Sequence, residues 1–137
     1  MKILMLSLSK LWYRVGMASY ATDESIIGKE FSLDGCLLIL IHVEREDIDR
    51  KNKLVRKLLN NIRWYSRKTG VNRVVLHSFA HLSESKADPE YARDIIITTE
   101  KKLKEKGLEV YTTPFGYFLD LEIRIKAEPI ARVFKEL

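Results

Sequence analysis

An α/β fold with a mixed sheet and two long helices, in one domain over residues 1–137, is predicted by three features of the sequence. Short apolar runs rich in branched residues alternate with two long runs of helical period. Single strands separated by long helices require crossover connections, which are nearly always right-handed. Near the C-terminus, one run alternates apolar and polar residues strictly, as a strand with one wet face does. The length of 137 residues is that of one domain. The composition, 46% hydrophobic and 31% charged, supports a core and excludes disordered, collagenous and disulfide-stapled chains.

Lys2–Leu8 is apolar after its lysine except at Ser7 and reads as a buried central strand. Residues Ser9–Asp34 mix Trp12, Tyr13, Tyr20 and Phe31 with Gly16 and Gly28 and show no helical period, so short strands and loops are expected there. Cys36–Val43 follows Asp34-Gly35 and is the strongest strand signal in the chain. Over Glu46–Thr69 the residues Leu54, Val55, Leu58, Leu59, Ile62 and Tyr65 recur at three- and four-residue intervals, predicting a helix stopped by Gly70. Its opposite face carries Arg50, Lys51, Lys53, Arg56, Lys57, Arg63, Arg67 and Lys68, which suit either solvent or RNA phosphates, with Trp64 available for stacking.

Val74–Phe79 is the next buried strand. Asp88-Pro89 pairs an N-cap with proline at the first helical position and opens a second helix, closed by Gly107. Leu108–Tyr111 reads as a short strand. In Tyr117–Ile125, Leu119, Leu121, Ile123 and Ile125 share one face and Asp120, Glu122 and Arg124 the other. Glu128-Pro129 is expected to start a short terminal helix.

The charge balance, 24 basic against 19 acidic residues, leaves +5, which suits a polyanionic partner. The lone Cys36 cannot form an internal disulfide, and no apolar run approaches the ~20 residues of a membrane span. A cytoplasmic protein is expected. Glutamine is absent while Lys, Glu and Ile abound, which leans toward a thermophilic source.

Catalytic motifs are scarce. His77 and His81 lie four apart but after a strand, so they do not form a zinc-binding helical pair, and neither a metal nor a cofactor is expected. His81, Ser83 and Glu84 have the types of a hydrolase triad, yet such close neighbours rarely converge. His42, inside an apolar strand, reads as a hydrogen-bonded structural histidine. Two loops stand out. Ser78-Phe79-Ala80-His81-Leu82-Ser83 follows a buried strand and precedes a capped helix, where α/β folds hold ligands. Thr113-Pro114-Phe115-Gly116-Tyr117 is a stiff turn whose glycine permits close approach of a ligand.

At these loops the chain resembles the N-terminal editing domain of archaeal threonyl-tRNA synthetase, a relative of the D-aminoacyl-tRNA deacylases. The likeness is carried by Phe79-Ala80-His81-Leu82-Ser83 and Pro114-Phe115-Gly116-Tyr117, by their spacing, by the opening KILMLSLS and by Pro129-Ile130-Ala131. It implies one deacylase-like domain, homodimeric, that hydrolyses Ser-tRNA(Thr), either within threonyl-tRNA synthetase or in trans as a free-standing subunit beside it. It also implies a substrate pocket formed by Ser78, Phe79, Ala80, His81, Phe115, Gly116 and Tyr117. Within it His81 would position the substrate, while main-chain groups and the tRNA's own 2′-hydroxyl do the chemistry. The sequence departs from the family at two places: Leu119 stands where the family often has lysine, and Arg132 where it has glutamate. The alternatives are a D-aminoacyl-tRNA deacylase and a noncatalytic tRNA-binding or synthetase-interaction module.

Overall fold

A computed structural model describes residues 1–137. Five strands run in the order β4-β3-β2-β1-β5, with β1 Lys2–Ala18, β2 Glu30–His42, β3 Arg73–Ser78, β4 Glu109–Thr112 and β5 Tyr117–Ile125. A sixth, β6 Arg132–Glu136, also pairs with β1. The β2–β3 and β3–β4 pairs are parallel, while β1 is antiparallel to β2, β5 and β6, so the sheet is mixed as expected. Helices α1 Lys51–Thr69 and α2 Pro89–Glu105 make the crossovers between the parallel strands.

The helices cover one sheet face. Leu54, Leu58, Ile62 and Tyr65 of α1 and Ile95 and Leu103 of α2 pack with Ile3, Met5, Leu37, Ile39 and Leu76 at zero exposure. Full burial of each such side chain contributes ~1.5–3 kcal/mol, so this layer is the main source of stability. The Tyr65 hydroxyl donates to the Ile130 carbonyl at 2.7 Å and ties the C-terminal segment to the helix. The other face holds a smaller cluster that includes Leu6, Leu8, Leu38 and Val75.

Three expectations are corrected. Residues Ser9–Asp34 do not break into short pieces. Lys10–Arg14 pair with Glu30–Asp34, extending β1 and β2 into a long hairpin. Leu11, Tyr13 and Val15 are buried between exposed Lys10, Arg14 and Met17, a period of two that the aromatics and glycines obscure. The first helix does not begin at Glu46: Arg45–Asp47 form a 3₁₀ turn, Asp49 adopts φ 64°, and α1 starts at Lys51. The terminal helix is a single 3₁₀ turn, Pro129–Ala131, followed by β6. The Arg132–Glu136 segment fills the edge of β1 that β5, which pairs from Leu8 onward, leaves open. On β5 the apolar face is only partly covered, with Leu121 at 40% and Ile123 at 38% exposure.

The α2 boundaries agree with the sequence reading. Asp88 Oδ1 accepts the Glu90 amide at 2.9 Å, and Gly107 follows the helix at φ 88°. No helix is long and apolar enough to cross a membrane.

Candidate functional site

The parallel strands β2, β3 and β4 end at His42, Ser78 and Thr112, all toward one rim of the sheet. Ligands of α/β sheets gather outside such carboxyl ends. Two loops leave this rim, residues 79–87 toward α2 and 113–116 toward β5.

The first loop is held by a buried histidine. His42 Nδ1 accepts the Leu82 amide at 3.0 Å, and Nε2 lies 2.7 Å from the Ser85 carbonyl, to which it donates. Those partners select the neutral Nε2–H tautomer. His42 thus has the structural role read from the sequence. The Ala87 amide donates to Val43 O at 3.0 Å and the Ser83 hydroxyl to Glu44 Oε2 at 2.8 Å. Ser83 is therefore engaged away from His81, and no triad forms. Burial works to raise the Glu44 carboxyl, but hydrogen bonds from Lys2, the Met1 ammonium and Ser83 outweigh it and hold the pKa at about 2.

The second loop is fixed through Gly116. Its carbonyl accepts the amides of Ser19, Tyr20 and Ala21 at 2.8, 3.0 and 3.2 Å, which brings the tip of the β1–β2 hairpin to the site. Gly116 has φ 86°, and a Cβ there would meet the Ala21 nitrogen at 2.7 Å. Glycine is thus required here for close approach to the hairpin, and the same residue lines the cavity below. Upstream, Thr113 N donates to Leu76 O at 3.0 Å, and Thr113 Oγ1 lies 2.8 Å from His77 Nδ1. Desolvation pushes the His77 pKa down to about 4, so this imidazole is neutral at physiological pH.

Between the loops lies a cavity of about 570 Å³ lined by all seven residues singled out from the sequence: Ser78, Phe79, Ala80, His81, Phe115, Gly116 and Tyr117. The His81 ring stands edge-on to Phe79 at 5.1 Å between centroids and is exposed. The amide of Phe79 is spent on Ile41 O at 2.9 Å, which removes it as a donor to a ligand. The amides of Ala80, His81, Phe115 and Gly116 form no hydrogen bond within the chain. Main-chain donors of this kind suit a developing oxyanion.

The lining also contains residues that sequence reasoning missed: Ser19 and Tyr20 from the hairpin tip, Lys86 before α2, and Leu121. The first two arrive through the Gly116 carbonyl, a contact with no local signature. Leu119 lines the cavity, so the lysine-to-leucine departure falls inside the site. Arg132 does not; it is exposed at the start of β6, opposite Leu6, with Nη1 3.4 Å from Lys126 O.

Over residues 1–137 the chain matches the family described as the Archaea-specific editing domain of threonyl-tRNA synthetase. It belongs to that family. The threonine–tRNA ligase of Thermococcus gammatolerans is 30% identical over 139 residues, covering 100% of this chain and 22% of the relative. That of Methanocaldococcus jannaschii is 32% identical over 114 residues, covering 83% of this chain and 18% of the relative. The chain thus spans about a fifth of the length of these synthetases. A solved structure titled c-Myc DNA Unwinding Element Binding Protein shares the fold, with a TM-score of 0.68, 15% identity and coverage of 100% of this chain and 99% of that one. Membership in the editing-domain family connects the chain with tRNA proofreading.

Proposed function

We propose that this editing domain removes serine wrongly esterified to tRNA(Thr). The observation that carries the reading is the cavity flanked by four unpartnered amides on two loops, one anchored on His42 and Glu44 and the other on the hairpin tip. Serine lacks one methyl of threonine, and such a difference gives an aminoacylation pocket only ~10–200-fold discrimination. A second cavity with rigid walls turns the same methyl into a clash. Here the walls include Phe79, Ala80, Phe115 and Gly116, and the hydrogen bonds of His42, Glu44 and Gly116 keep them in place.

The terminal ribose carries a free 2′-hydroxyl beside the ester, which orients the attacking water. Water adds to the ester carbonyl, the free amides receive the oxyanion, and the C–O bond to the ribose breaks with the proton going to the ribose oxygen. His81 positions the ribose. With Leu119 replacing the lysine, the backbone and the RNA supply the chemistry.

Deacylation of Ser-tRNA(Thr), Thr-tRNA(Thr) and a D-aminoacyl-tRNA by the purified chain tests this reading. Loss of serine alone supports it; loss of the D-ester alone identifies a D-aminoacyl-tRNA deacylase. Binding without turnover identifies a noncatalytic module, the reading that Leu119 inside the cavity favours. The partners that accompany the proposal are the tRNA acceptor end, the synthetase's catalytic region in cis or in trans, and a second copy of the chain. Leu121 and Ile123, exposed on the outermost strand β5, offer that copy an apolar face.

A further inference from the structure

A second hollow, of about 600 Å³, adjoins the cavity and shares Tyr20, Phe115 and Tyr117 with it. The rest of its lining includes Asp23, Glu90 and Arg93. The Tyr20 ring is 48% exposed and held at two points: its hydroxyl donates to Glu90 Oε1 at 2.9 Å, and its ring meets Phe115 edge-on at 6.3 Å. The hairpin carrying it is pinned by the Gly116 carbonyl, and the Tyr117 hydroxyl donates to the Asp23 carbonyl. Glu90 Oε2 accepts no hydrogen bond, and Arg93, exposed in the first turns of α2, joins none of the chain's ion pairs.

A half-exposed aromatic ring, a free carboxylate oxygen and an unpaired guanidinium around one hollow match three features of a single-stranded nucleotide: the face of its base, an exocyclic amine and a phosphate. Rings stack bases, a carboxylate accepts from the exocyclic amine of cytosine, and a guanidinium holds a phosphate. The last two nucleotides of a mature tRNA are cytidine and adenosine, and the hollow lies immediately beside the cavity assigned to the aminoacylated adenosine.

We propose that this hollow seats the cytidine preceding the terminal adenosine. Its base stacks on Tyr20, its N4 amine donates to Glu90 Oε2, and the phosphodiester between the two nucleotides pairs with Arg93. The inference rests on the proposed function and extends it from the amino acid to the RNA.

The test uses the full chain, as wild type and as Arg93→Ala. The trinucleotides CCA and CUA are titrated by NMR, and turnover is followed on Ser-tRNA(Thr) and on seryl-adenosine, which lacks the phosphodiester. CCA should bind about tenfold more tightly than CUA, because uracil presents a carbonyl where cytosine presents the amine. Arg93→Ala should raise KM for Ser-tRNA(Thr) about tenfold, flatten its salt dependence by ~0.7 in slope, and leave seryl-adenosine unchanged. Equal binding of the two trinucleotides, or an Arg93→Ala defect as large on seryl-adenosine as on the tRNA, overturns the assignment. If wild type cleaves neither serine ester, the editing reading fails, and the trinucleotide preference with its Arg93 dependence decides the hollow alone.

Discussion

The carbonyl of Gly116 accepts the amide of Ala21 at 3.2 Å, and the same glycine leaves a methyl-sized gap that Ala21 fills. The site therefore depends on a contact between a turn near the C-terminus and the tip of an N-terminal hairpin. Gly116→Ala introduces a Cβ 2.7 Å from backbone and a side chain at φ 86°. The hairpin tip must retreat and take Tyr20 with it. Deacylation should fall about 100-fold, the scale of a misplacement of about 1 Å at a reacting centre. Single-turnover rates check this, and wild-type rates would refute the role given to the contact.

His81→Ala should lower deacylation by less than about tenfold and leave the pH profile between 6 and 8 unchanged, because a positioning group carries no proton in the rate-limiting step. Loss of all activity, or a profile that loses a titration near neutrality, would make His81 a general acid or base.

His42→Leu removes both hydrogen bonds that His42 makes with the 79–87 loop, stranding the Leu82 amide and the Ser85 carbonyl. Each unsatisfied group costs ~1–3 kcal/mol, so urea unfolding should show a loss of ~2–4 kcal/mol. Activity should fall further than stability, since the wall that loosens carries Ala80 and His81.

Two groups with large shifts contribute to the response to acid. The His77 pKa in the folded chain is about 4, below the ordinary 6.5, so the fold favours neutral imidazole. Above pH 6.5 that stability is fully present. As pH falls from 6.5 to 4, the unfolded chain binds the proton first and stability is lost, by about 1–3 kcal/mol after allowance for partial exposure. Glu44 extends the loss: held at about 2 against an ordinary 4.5, it contributes above pH 4.5 and loses its contribution between 4.5 and 2. Urea titrations across this range should decline in two stages, with His77→Gln flattening the upper and Glu44→Gln the lower.

Where periodicity and caps act locally, structure was legible in the sequence: α2 with Asp88 and Gly107, most of α1, and the β2 and β3 cores. The long hairpin was not, because Leu11, Tyr13 and Val15 become strand only once β2 and β5 flank them. The same holds for β6, whose five residues acquire strand pairing from the unfilled edge of β1. In the site, both motif loops line one cavity. Tyr20 and Lys86 escaped notice because tertiary contacts, not motifs, carry them there. The contact of Gly116 with Ala21 has no local signature, because the two lie far apart in the chain.

Seryl-adenosine, in the proposed function, sits between the two loops on main-chain amides, and amide shifts read it directly. Titration of the ¹⁵N-labelled chain with adenosine bearing serine through a non-hydrolysable 3′-amide should move the signals of Ala80, His81, Phe115 and Gly116 first and furthest. The threonyl counterpart should leave them in place. Shifts concentrated elsewhere, or equal shifts with both compounds, would contradict the account.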